Sequence, residues 1–157
     1  MAHHLEAFVA ERAQLEHMAL KLPSAKVVDL AADLCLLPVT AAVKADITGS
    51  DEPAFAGLDL SEKLAQLAQE CSRAGAIAYI EAHYLKGRDH QASAFWSQNK
   101  MTLEPSIEDT PWDPRESNDT RPVNKVLRIL GLKPGSFDDE WDAAGLTRHN
   151  ATENWAK

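Results

Sequence analysis

The sequence predicts an α+β domain in which helices pack on an antiparallel sheet of four or five strands. Two observations carry this expectation. Residues 76–97 alternate apolar and polar side chains on both sides of a polar, glycine-containing turn, which is the pattern of a hairpin. The segments after Asp59 and after Thr120 instead repeat apolar residues at steps of three and four, the period of an amphipathic helix. Strand runs joined by short turns favour antiparallel pairing, and the helices must then cover a face of the sheet.

Taken in order, the first segment, Leu5 to Leu20, reads as a helix: Leu5, Phe8, Leu15 and Met18 share one face at the helical period, and Pro23-Ser24 ends it. Residues 26–39 read as a strand hairpin turning at Ala31-Ala32-Asp33, with Pro38 marking an edge or a stop. A short helix and a loop are expected over 40–57. Asp59, with Glu62 three residues on, then caps a helix carrying the stripe Leu60, Leu64, Leu67, Cys71 and Ala74, which Gly75 ends in the left-handed position.

In the hairpin, Ala78, Ile80, Ala82 and Tyr84 face one side and Ile77, Tyr79, Glu81 and His83 the other. The loop Lys86-Gly87-Arg88-Asp89-His90 leads to a return strand from Gln91 to Ser97, and a short strand follows near Met101 to Leu103. Residues 104–119 then read as one long acidic loop. They hold Glu104, Glu108, Asp109, Asp113, Glu116 and Asp119 against the single base Arg115, together with Trp112 and three prolines. Loops of that length are usually functional or disordered. A helix starts near Thr120 with Pro122 in its first turn and stops at Gly131. Ser136 with Asp139 opens another, on which Phe137 and Trp141 would pack at i, i+4, and Gly145 closes it. Residues 147–157 read as a tail tethered by Trp155.

The chain has 157 residues, 45% of them hydrophobic and 25% charged, the size and make-up of a single domain with its own core. It carries 24 acids against 16 bases, a net charge of −8. That charge repels nucleic acid and attracts a basic protein partner. The start Met1-Ala2-His3-His4-Leu5 has neither the basic residues nor the apolar stretch of a signal peptide. No apolar run reaches the ~18 residues of a membrane span. A cytoplasmic protein with no membrane and no nucleic-acid partner is the expectation.

Catalytic signatures are missing. Cys35 and Cys71 each lie in apolar periodicity, as core thiols do. There is no Gly-x-Ser-x-Gly elbow and no glycine-rich phosphate loop. His83 and His90 flank the hairpin loop with Glu81 on the strand face of His83, and two imidazoles and a carboxylate are the donors of an open zinc or iron site. Their spacing matches no standard ligand pattern, so solvated histidines are expected, with no metal and no cofactor. The acids of 104–119 read as a solvated face, or, helped by Trp112, as a protein-binding loop.

The stretch Ala78-Tyr79-Ile80-Glu81-Ala82-His83-Tyr84, a glycine-bearing turn, Gln91 and Trp96 resembles a hairpin of small uncharacterised bacterial proteins. Asn124-x-x-Leu127-Arg128-x-Leu130-Gly131 and Trp141-Asp142-x-x-Gly145-Leu146-x-Arg148-His149 are similar to the end of the same proteins. The resemblance covers about the second half of the chain. Several of those proteins resemble immunity proteins, which neutralise a bacterial toxin in the cell that makes it. The resemblance implies a non-catalytic inhibitor that binds a cognate toxin. The acidic charge of the 104–119 loop then points to a basic active-site surface on that toxin. The loop's charge and Trp112 place the contacts at Glu104, Glu108, Asp109, Trp112, Asp113, Glu116 and Asp119, with Arg88, Asp89, His90 and Gln91 at the hairpin tip as a second contact. The alternatives are a small metal-dependent enzyme or ligand-binding protein using the 81–91 hairpin, and a structural or adaptor protein.

Overall fold

A computed structural model describes residues 3–47, 52–85, 88–111 and 121–157. Within them one antiparallel sheet of six strands runs in the order β2-β3-β1-β4-β5-β6. The strands are β1 (His3–Glu11), β2 (Val28–Asp29), β3 (Leu34–Pro38), β4 (Ile77–Leu85), β5 (Arg88–Ser97) and β6 (Lys100–Pro111). The helices are α1 (Arg12–Ala19), α2 (Ala41–Ala45), α3 (Glu62–Cys71), α4 (Pro122–Ile129) and α5 (Glu140–Ala144). The class is α+β as expected, with a strand count slightly above four or five.

The extra strand comes from the segment expected to be a helix from Leu5 to Leu20. Its first half is β1, and only Arg12–Ala19 is helical. β1 lies between β3 and β4 and is buried on both faces: Leu5, Ala7 and Val9 enter one core, Phe8 and Ala10 the other. A strand buried on both sides shows a continuous apolar run rather than alternation. That run contains helical spacings by chance, which is why the helical period extends through it.

Residues 104–111, expected to be loop, continue β6. The acids disguised a strand that lies at the sheet edge, where charge and proline are tolerated because one side of the backbone needs no ladder partner. The rest of that segment, 112–119, lies outside the described residues.

Helices cover both faces of the sheet. α1, α2 and α3 pack on Phe8, Tyr79 and Trp96, while α4, α5 and Trp155 pack on Leu5, Val9, Ala78 and Ile80. α3 is capped by Ser61, whose Oγ accepts the Leu64 N–H at 3.2 Å, and not by Asp59. Gly75 is not left-handed; a Cβ there would meet the Gln14 side chain at 2.6 Å, so close approach explains the glycine. Gly145 does close α5 in the left-handed region, at φ 75°. The cap of α5 is Asp139, whose carboxylate accepts the Asp142 N–H at 2.9 Å. Phe137 precedes that helix and is exposed, while Trp141 is buried, so the two do not pair. The expected tail is folded: residues Leu146–Arg148 and Thr152–Ala156 form 3-10 turns. Thr152 Oγ1 accepts the Glu6 N–H at 3.1 Å, and Trp155 is buried.

Candidate metal centre

The strand registers bring polar side chains from distant parts of the chain into two rows. His4 of β1 stands opposite His83 of β4, which stands opposite His90 of β5, which stands opposite Asp109 of β6. One step along, Glu6 stands opposite Glu81. Side chains directly opposite, or two apart on one strand, share a face. Three imidazoles in a row therefore lie beside two carboxylates, next to the core that α1 to α3 cover. The His4 and His83 ring centroids are 4.2 Å apart, and those of His83 and His90 are 5.4 Å apart.

Both glutamates are buried, Glu6 at 2% and Glu81 at 1% exposure, which demands partners for their charge. Glu6 has Lys44 Nζ at 2.9 Å from one oxygen and His4 Nε2 at 2.9 Å from the other. Glu81 Oε1 accepts hydrogen bonds from the Tyr79 hydroxyl and the Asp59 N–H, each at 2.8 Å. Its Oε2 lies 2.9 Å from His90 Nε2. Burial pushes the Glu81 carboxyl up, but interactions with His83, the Asp59 N–H, His90 and Tyr79 outweigh it and hold the group below its ordinary value. His83 is raised above its ordinary value, chiefly by the Glu81 carboxylate.

Two buried atoms of the cluster make no hydrogen bond among the described residues: Glu6 Oε1, which has the Lys44 ammonium 2.9 Å away, and His83 Nε2. His83 Nε2 is the more telling of the two. It lies 3.8 Å from Glu81 Oε2 and 3.5 Å from Asp59 Oδ2. Glu81, His83 and His90 each offer a donor atom, all within 4.8 Å of one another, and so do His4, Glu6 and His83. The two sets share His83. Glu6 is already met by an ammonium and an imidazole, so the Glu81 set is the better seat for a cation. The histidines expected to be solvated are thus part of a packed cluster.

The other anticipated contacts are placed differently. Asp89 and Gln91 are buried within the fold. Arg121 Nη1 donates to Asp89 Oδ2 at 2.7 Å. Gln91 accepts the Val123 N–H at 3.1 Å and donates to the Tyr84 hydroxyl at 2.5 Å. Both residues anchor the start of α4. His90 belongs to the cluster, and its Nδ1 lies 4.0 Å from Asp109 Oδ2. Glu104 and Asp109 are exposed on β6 and Glu108 is half-buried. Only the backbone of Arg88 is described, as the first residue of β5. Trp112, Asp113, Glu116 and Asp119 lie outside the described residues.

Sequence reasoning missed His4, Glu6 and Lys44. The signal was present in His4 and Glu6, polar residues two apart like Glu81 and His83, but it was hidden while the segment was read as helix. Cys35 and Cys71 are free and buried, and burial raises both thiols. Among the described residues no helix is long and apolar enough to cross a membrane. The chain matches no protein-family model, no curated protein and no solved structure.

Proposed function

We propose that the protein binds a divalent transition-metal ion through Glu81, His83 and His90, and acts as a metal-dependent enzyme or metal-dependent ligand-binding protein. The observation that carries this reading is the buried, unbonded His83 Nε2 beside a carboxylate oxygen that already faces a second imidazole. Leaving a buried polar atom unpaired costs about 1–3 kcal/mol, and an ion between these donors would remove that cost. Two imidazoles and one carboxylate suit zinc or iron and leave coordination positions open for water or a ligand.

The test is metal analysis of protein purified without an affinity tag, followed by zinc and cobalt titration calorimetry. Stoichiometric binding in the wild type, abolished in Glu81→Ala and His90→Ala, supports the reading. Metal-free protein with no saturable binding refutes it and leaves a closed hydrogen-bond network.

A second reading is supported by a separate observation. The outermost strand β6 exposes Glu104 and Asp109, with Glu108 between them, on a chain of net charge −8. Such an edge suits a basic partner, as expected of an immunity protein that binds and blocks a cognate toxin in the cytoplasm. Capture of a toxin domain from native lysate, lost on neutralising Glu104, Glu108 and Asp109 together, supports it. Capture that survives the triple substitution removes β6 from the contact.

A further inference from the structure

Glu81 is held from behind by two donors that the metal reading does not use. The Tyr79 hydroxyl and the Asp59 N–H both donate to Oε1, at 2.8 Å each. Tyr79 is fully buried, and its ring lies 5.3 Å from that of Phe8 across the sheet. Asp59 sits two residues before the Ser61 cap of α3, so the start of that helix delivers its N–H to the carboxylate.

We infer that Tyr79 and the Asp59 N–H make Glu81 a one-oxygen ligand, and that this sets the site's selectivity for small transition-metal dications over calcium. The inference deepens the metal reading and rests on it. An ionised carboxylate has two oxygens with roughly four lone-pair sites between them. At Oε1 both sites are occupied, which leaves Oε2 to face the imidazoles. Calcium takes about 6–8 oxygen ligands, often including a two-oxygen carboxylate. This set offers it a single oxygen and two nitrogens, donors that zinc, iron and cobalt prefer. Tyr79 is thus a positioning residue, acting on the ion through Glu81.

Tyr79→Phe removes the hydroxyl and keeps the ring on Phe8. The wild type should bind zinc and cobalt(II), and calcium should not displace cobalt. The variant should bind zinc about 10–100-fold more weakly, the usual effect of losing an outer partner of a ligand. Its cobalt visible spectrum should also change, because Oε1, then held by the Asp59 N–H alone, has a lone-pair site open to the ion. That spectral change is a readout that loss of stability alone would not produce. Equal affinity with a superimposable cobalt spectrum overturns the inference while leaving the metal reading standing. Wild-type protein that binds neither zinc nor cobalt overturns both. Calcium competition on the wild type needs no variant and can overturn the inference even if Tyr79→Phe does not fold: calcium that displaces cobalt at matched concentration does so.

Discussion

Glu6 and Glu81 stand directly opposite each other on β1 and β4, two buried carboxylates on one face of the sheet. Like charges in that position are destabilising. Each must therefore be met locally, Glu6 by Lys44 and His4, and Glu81 by His90, Tyr79 and the Asp59 N–H.

Lys44→Met should destabilise the fold by about 1–3 kcal/mol, the range for losing a bond to a charged group. The low end is expected because the Lys44 side chain is 42% exposed and solvent screens the pair. Adding Glu6→Gln should recover part of the loss. Urea denaturation of the two single variants and the double variant measures the coupling. Strict additivity would show that the pair does not interact.

Asp89→Ala should cost about 3–5 kcal/mol, since it leaves a buried guanidinium without its counter-ion. The side chains of Arg121 and Asp89 are 8% and 9% exposed, so water offers little substitute. Asp89→Leu combined with Arg121→Met should cost less than Asp89→Ala alone. A melting temperature for Asp89→Ala equal to wild type would show that α4 does not depend on this pair.

Trp155→Ala should cost about 3–5 kcal/mol, as truncation of a buried tryptophan usually does. It should also speed amide exchange at Glu6, because Thr152, three residues away, accepts that N–H. A variant with wild-type stability would mean that the C-terminal turns contribute nothing to the fold.

The His3 side chain should make the protein less stable in mild acid. It packs against Tyr84 and Trp141, and burial lowers its pKa, with His4 and His83 pushing the same way. The unfolded chain takes up this proton near pH ~6.5, and the folded chain only at lower pH. Between those points the unfolded state holds more protons, so stability rises with pH there and falls as pH drops below ~6.5. Above ~6.5 this residue has no effect on the slope. His83 has a raised pKa and contributes with the opposite sign, so the quantity to measure is the melting temperature of wild type minus that of His3→Gln from pH 5 to 8. A difference that stays flat across that range would rule out the His3 contribution.

Much of the fold was legible. β4 and β5 are legible because two strand-length runs flank a polar, glycine-bearing turn, and α4 announces itself through Pro122, Val123, Val126, Leu127 and Gly131. β1 was not legible, because both its faces are buried, and β6 was not, because charge on an edge strand looks like loop. For the candidate site, Glu81, His83 and His90 were visible as a possible donor set on one hairpin. Their burial was not, since it depends on β1 beside them and α3 above.

Composition and periodicity by themselves determined the α+β class, the central hairpin, α4 and a core of ordinary size. These are properties of neighbouring residues, and local spacing reports them. Only the tertiary structure decided that His4 meets His83, that Glu6 meets Glu81, and that Asp89 belongs to Arg121. Those contacts join residues 79, 75 and 32 positions apart, through strand registers and helix packing. Register is a collective choice: one step of slip would turn every side chain of β1 to the opposite face. No short stretch of sequence records which step the sheet adopts.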